Sequence, residues 1–376
     1  MKRVLEYIFM CVMVVMTSAC NIDEVYTTEL PPKIIANGKS SFRLRVGDEI
    51  RLAPDCENGK DATYSWCIDK QEVSTERAYI FSGESVGIAS ITLTVTNKSG
   101  SDSLTYIIDV IDCFKVYDYT PAPGQFIGDL KTSGFNGTET TMEAAIEYAE
   151  RRIVENLFVS LGAFGGYIVL GLDHSIENGS SHDFIISGNS FDGSSEPGIV
   201  WVMQDTNGNC EPDDTWYELS GSETGKDETI QNYEVTYYRP EAAGMAVRWD
   251  DNLGNSGEVE YQKSYHNQDF YYPTWIETDS YTLSGTRLKS KSYDKSGNGS
   301  MWINPTFDWG YADNASSIDS NNGDNLFDIS NAIDKDGNRI ELEYIDFVKV
   351  QSALQQQCGW LGELSTEIKG IKQVER

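Results

Sequence analysis

An all-β chain, built as two antiparallel sandwiches with a single helix, is what this sequence predicts, on three observations. Aromatic residues make up 11% of the 376 residues, with 21 Tyr and 8 Trp, more than a helical bundle needs. Short runs rich in β-branched and aromatic residues recur along the chain, bounded by Gly, Asn and Asp. Only one segment combines an apolar pattern of helical period with a capping residue in front of it.

The amino-terminal stretch precedes both sandwiches. Met1-Lys2-Arg3 leads into an apolar run from Ile8 to Met16 and then Thr17-Ser18-Ala19-Cys20. A positive start, a short apolar stretch and small residues before a cut site make a secretory signal, and the run is too short to span a bilayer stably. Residues 1–19 are therefore expected to be a signal peptide. The segment resembles the bacterial lipobox, with Thr17 where Leu is commoner, which implies lipidation of Cys20. Asn21, Asp23 and Glu24 resemble the surface-export signal of Bacteroidetes lipoproteins, which implies a lipid-anchored protein on the outer face of the outer membrane. Residues 20–33, with Pro31 and Pro32, read as a tether.

Without residues 1–19 the chain has 27 Lys+Arg against 58 Asp+Glu, a net charge of −31. That balance argues against nucleic acid as a partner and suits either a soluble surface protein or one that neutralises itself with bound cations. The length suggests two domains. Beyond Cys11 and Cys20 the cysteines are Cys56, Cys67, Cys113, Cys210 and Cys358. They show no CxxC spacing, so neither a zinc site nor a disulfide framework is expected, although a Cys56–Cys67 bridge is open.

Residues 34–114 carry short alternating strands around Phe42, Leu44 and Val46, Tyr64 and Trp66, Ile91 to Val95, and Tyr106 to Val110. Tyr64-Ser65-Trp66, then Ile91 to Asn97 and Ser99-Gly100, resemble the polycystic kidney disease (PKD) immunoglobulin-like fold, in which a strand Trp is buried between two sheets. The resemblance implies a spacer or interaction module. Residues 115–124 read as a Pro-rich joint, stiffened by Pro121 and Pro123.

The larger domain spans residues 125–373. Thr140 to Glu143 has capping-box spacing, and Met142, Ile146, Ala149, Ile153 and Leu157 follow at helical intervals. Strands are expected at 158–161, 166–172, 183–187, 198–204, 215–219, 233–238 and 345–351. Ile199 to Met203 is apolar at every position, which places it mid-sheet with Trp201 in the core. A jelly-roll-type β-sandwich is the expected architecture. Gly, Asn, Asp and Ser concentrate between Asp294 and Asp336, predicting long loops where binding commonly sits.

Asp205-Thr206-Asn207-Gly208-Asn209-Cys210-Glu211-Pro212-Asp213-Asp214 sets oxygen-bearing side chains at alternate positions before two carboxylates. Ca²⁺ takes about 6–8 oxygen ligands, so Asp205, Asn207, Asn209, Asp213 and Asp214 are the expected ligands of a structural Ca²⁺. Cys210 stands at the sixth place and Trp216 where an EF-hand has its bidentate Glu, so the loop is closer to short Asp/Asn loops; an Asn-Gly hairpin turn is the simpler alternative. Asp334-Lys335-Asp336-Gly337-Asn338 is a second candidate for such a loop, with a plain turn as the preferred alternative. Trp275 in Tyr271-Tyr272-Pro273-Thr274-Trp275, and Trp309 with Tyr311, lie beside loop signals and are expected to be exposed, lining a ligand site together with Tyr272. His174 is the candidate histidine. No nucleophile elbow is present, and carboxylate pairs such as Glu196 with Asp213 or Glu218 are uninformative in so acidic a chain.

Several stretches resemble a family of Bacteroidales cell-surface lipoproteins with a PKD-like domain before a larger β-rich domain. They include 159–162, 165–174, 183–189, 195–203, 205–219, 309–314, 345–351 and 359–368. Members often accompany cobalamin acquisition systems, so the resemblance implies a non-enzymatic binding lipoprotein that hands a nutrient, a corrinoid, to a TonB-dependent outer-membrane transporter. A carbohydrate-binding module or glycan adhesin is the alternative expectation, and a glycan-active hydrolase comes third.

Overall fold

The computed structural model describes residues 29–36 and 38–375; the signal peptide, Cys20 and most of the tether lie outside the described residues. The described residues form two compact units, one taking in 29–36, 38–42, 49–82 and 88–109, the other 43–48, 83–87 and 110–375. No helix among the described residues is long and apolar enough to cross a membrane.

Most of the first unit lies in a five-stranded sheet of β1 (Ser41–Arg45), β2 (Thr63–Ile68), β3 (Gln71–Ser74), β4 (Gly87–Asn97) and β5 (Gly100–Ile111), in the order β1-β5-β4-β2-β3. Alternation sends Ile91, Leu93 and Val95 of β4 and Tyr106 and Ile108 of β5 inward. Trp66 is fully buried, stacks on Tyr106 and donates its indole N–H to the Glu76 carbonyl at 2.8 Å. The strand Trp therefore packs as the sequence predicts.

The second unit contains β6 (Val116–Thr120), α1 (Met142–Val154), β7 (Tyr167–Glu177), β8 (Phe184–Ser187), β9 (Gly198–Met203), β10 (Trp216–Leu219), β11 (Ile230–Tyr238), β12 (Val247–Asp251), β13 (Ser256–Val259), β14 (Ser280–Arg287), β15 (Asp324–Phe327), β16 (Ala332–Ile333), β17 (Tyr344–Ser352) and β18 (Gly370–Gln373). A six-stranded sheet runs β6-β7-β17-β9-β10-β16, and a four-stranded sheet runs β13-β12-β11-β14. A third sheet pairs β8 with β15 and β18. The expected joint thus supplies an edge strand, β6, with Tyr119 fully buried. Strands β12, β13 and β14 were not predicted. Their runs are interrupted by Asp, Ser and Gly, and they are fixed by pairing, β12 and β14 with β11 and β13 with β12, rather than by local pattern.

Helix α1 forms where its period predicts, but Thr141, not Thr140, is the cap, accepting the Ala144 N–H at 3.2 Å. Its inward face is Ala145, Tyr148, Ala149 and Ile153; Met142 is exposed, and Leu157 falls beyond the helix end and is also exposed. Tyr148 stacks on Phe135 with ring centroids 3.7 Å apart.

Cys56 and Cys67 are free, and the bridge instead joins Cys113 to Cys210 with Cα atoms 5.7 Å apart. Cys56 pairs in the short Asp55–Glu57 strand and Cys67 lies on β2, which belong to separate sheets. Spacing along the chain cannot reveal a bond across 97 residues. Closing a loop that long restricts the unfolded chain strongly. Replacing both Cys113 and Cys210 by Ser is expected to lower the unfolding free energy by about 3 kcal/mol in urea titrations, and an unchanged midpoint would contradict this.

Candidate functional site

The six-stranded sheet has two chemically different faces, and the second is where the candidate site lies. Ile168 and Leu170 of β7, Val348 and Val350 of β17 and Val200 and Val202 of β9 point into the main core. The intervening residues form cross-strand rows on the opposite face. Asp118 pairs with Val169, Val169 with Lys349, Lys349 with Trp201, and Trp201 with Glu218. In the next row Tyr167 pairs with Gln351.

This face floors a groove of about 480 Å³, lined by Tyr117, Tyr167, Trp201 and Trp216 together with Asp118, Asn232, Lys349 and Gln351. A smaller recess of about 120 Å³ shares Trp201, Trp216 and Asn232 and adds Glu218 and Thr286. Trp201 is half-buried here rather than a core residue. Its place in the middle of the sheet is as predicted, but alternation turns its ring to the polar face. Lys349 lies 4.3 Å from the Tyr167 ring centre and 5.8 Å from that of Trp201. Burial lowers the Lys349 ammonium below its ordinary value, and Asp118 opposes that shift. Tyr167 donates its hydroxyl to Asp118 at 2.8 Å.

Two polar atoms of the lining residues have no partner in the protein: the Trp201 indole N–H and Gln351 Oε1. Gln351 is held in place through its amide nitrogen, which donates to the Gly165 and Ser284 carbonyls at 3.0 and 2.8 Å. A side chain at Gly285 would overlap Gln351 Oε1, so only glycine leaves this acceptor its space. Glu218 is buried, and burial pushes its carboxyl from the ordinary 4.5 to about 7, although the Thr286 hydroxyl donates to it at 2.5 Å. Stacking faces beside the polar side chains of Asp118, Asn232 and Lys349 suit a ligand that presents both apolar C–H faces and hydroxyls.

The residues expected to line a site mostly serve the core. Trp275 is 3% exposed and stacks between Tyr119 and Phe135 at 6.1 and 5.7 Å. Tyr272 and Tyr311 are buried as well, with the Tyr272 hydroxyl on the Thr278 carbonyl and the Tyr311 hydroxyl accepting the Glu223 N–H. The expected exposure of these three is therefore corrected: Trp275 and Tyr272 belong to the main apolar core and Tyr311 to a second buried cluster with Phe307. Trp309 is half-buried and lines a separate cavity of about 290 Å³ with His182 and Asp319. His174 is exposed and bonds Gln373 and Asp173, at 2.7 and 2.6 Å.

In the 205–214 loop the oxygens are engaged from within. Asp205 accepts the N–H groups of Gly208, Asn209 and Cys210, Asp213 accepts the Asn207 and Asn209 amides, and Asp214 accepts from Thr206. Cys210 takes φ +53° at the place where a calcium loop usually has glycine. A different set of acids could hold a divalent ion. Glu196, Asp313 and Glu367 each bring a carboxylate oxygen within 4.8 Å of the others. Burial, and then the neighbouring carboxylates, hold the Glu196 and Asp313 carboxyls well above the ordinary range, and burial raises that of Glu367. Sequence reasoning missed this cluster because its members come from three distant segments.

Residues 31–97 match the family described as PKD-like domain. No curated protein matches the chain. Among solved structures, a quinonprotein alcohol dehydrogenase-like protein from Bacteroides thetaiotaomicron is 22% identical at a TM-score of 0.21, over 25% of this chain and 23% of that one. The I67–I69 I-band fragment of titin is 17% identical at 0.19, over 21% and 32%. SGBP-B of a Bacteroides ovatus mixed-linkage glucan utilization locus, solved with a mixed-linkage heptasaccharide, is 15% identical at 0.18, over 60% and 45%. At such scores these likenesses carry no functional argument.

The raised Glu218 value has a signed consequence. A carboxyl that holds its proton more tightly when folded contributes its stability in full below about pH 4.5 and loses it as pH rises through about 7. The unfolding free energy of Glu218→Gln minus that of the unsubstituted chain should therefore rise by about 3 kcal/mol between pH 4 and pH 8. A difference that stays flat across that range would contradict the assignment.

Proposed function

We propose that this protein is a non-enzymatic binding protein that captures a glycan in the aromatic groove on the polar face of the six-stranded sheet. The observation that carries the reading is the pairing of two half-buried indole rings, Trp201 and Trp216, with the polar side chains of Asp118, Asn232 and Lys349 in one lining. Sugar rings present C–H faces that stack on indole and hydroxyls that both donate and accept, so one groove can satisfy both requirements. The volume falls within the usual range for small-ligand clefts.

On this reading Cys20 carries a lipid that holds the protein on the outer face of the outer membrane, and the captured ligand passes to a TonB-dependent transporter. A corrinoid is the other ligand the family resemblance implies, and the same titration separates the two. The large negative charge favours a neutral or weakly cationic ligand over a polyanion.

An array of neutral glycans followed by calorimetric titration of the strongest binder, with cobalamin in a parallel cell, tests the proposal. A glycan is expected to bind, and Trp201→Ala and Trp216→Ala should each weaken it at least about tenfold. Heat from cobalamin alone, or glycan binding untouched by either substitution, would overturn it.

A further inference from the structure

We propose that Glu196, Asp313 and Glu367 bind one hard divalent cation of the Ca²⁺ class, which fastens the carboxy-terminal strands to the loop that carries Asp313. One oxygen from each carboxylate lies within 4.8 Å of the other two, the spacing of groups that share an ion. Asp313 is fully buried, Glu367 is 6% exposed and Glu196 is half-buried.

Nothing in the surrounding protein neutralises the three. None of the ion pairs among the described residues includes any of them. Asp313 is placed by backbone donors, from Asn189 and Ser190 on one oxygen and from Glu367 on the other, at 2.8 to 2.9 Å. Glu367 differs in that its Oε1 is buried and has no hydrogen-bond partner. A buried carboxylate oxygen with no partner, among two other carboxylates, is costly unless a cation or a proton sits between them. The donors are oxygen only, with no imidazole or thiolate in the set, which selects hard ions over zinc or copper.

The backbone around the site is arranged as a junction. The Glu196 N–H donates to the Asp313 carbonyl at 3.0 Å, Asp313 adopts φ +51°, and Glu367 lies in a two-residue strand paired with Val159–Ser160. An ion there ties three stretches that are remote in the sequence. This site shares no residue with the groove, so either proposal can fail alone.

The test uses the purified full chain, stripped with EDTA, with Ca²⁺ alone and Mg²⁺ alone as probes, read by bound-metal analysis and thermal melting. At least one of the two ions is expected to bind and to raise the Tm by about 5 °C or more over the stripped chain. Glu196→Gln and Glu367→Gln should bind one equivalent less and lose that response, whereas Asp213→Asn in the 205–214 loop should keep it. A native chain that melts alike with EDTA and with either ion would overturn the proposal whether or not the variants fold, because protons alone would then hold the cluster. A response lost in Asp213→Asn and retained in Glu367→Gln would also overturn it.

Discussion

The register of β17 against β7 on one side and β9 on the other is the constraint on which the second unit depends. Val348 and Val350 can reach the core only if Lys349 and Gln351 face the other way, and the neighbouring strands must match that phase. A slip by one residue would bury Lys349 and expose two valines, so the apolar core selects the register strongly. The groove is the other outcome of that selection. Trp201, Tyr167, Lys349 and Gln351 share a face because Val200, Ile168, Val348 and Val350 share the opposite one.

Long-range polar ties then fix what the sheets leave open. The Ser365 hydroxyl is shared between Ser160 and the Gly162 N–H, and Glu363 accepts the Gln125 N–H at 2.7 Å. Asp183, also fully buried, accepts the N–H groups of Gly179 and Ile329. Buried carboxylates that cap backbone donors explain part of the chain's acidity without any ligand. The group of Glu196, Asp313 and Glu367 stands apart because three carboxylates converge within 4.8 Å of one another.

Much of the fold was legible in the sequence. Periodicity located α1 and the strands β7, β8, β9, β10 and β17, because each is long or apolar enough to reveal its phase locally. It failed at β12, β13 and β14, whose pairing supplies what their composition does not. The site was less legible. Proximity to Pro and Asn suggests exposure for Trp275 and Tyr311, yet both rings project into apolar clusters whose other members come from distant parts of the chain. The apolar run of its strand places Trp201 in the core, and only the cross-strand partners Lys349 and Glu218 reveal the polar groups beside it. The acidic cluster and the Cys113–Cys210 bond join residues from remote segments, information that no local pattern carries.

The central claim is that the polar face of the six-stranded sheet is the binding surface. A crystal structure of the protein with its strongest-binding oligosaccharide tests this most directly. The account predicts a sugar ring stacked on the indole of Trp201 or Trp216, with a hydroxyl on Asn232 or Asp118. An oligosaccharide seated in the cavity beside Trp309, or on the first unit, with the groove holding only water, would contradict it.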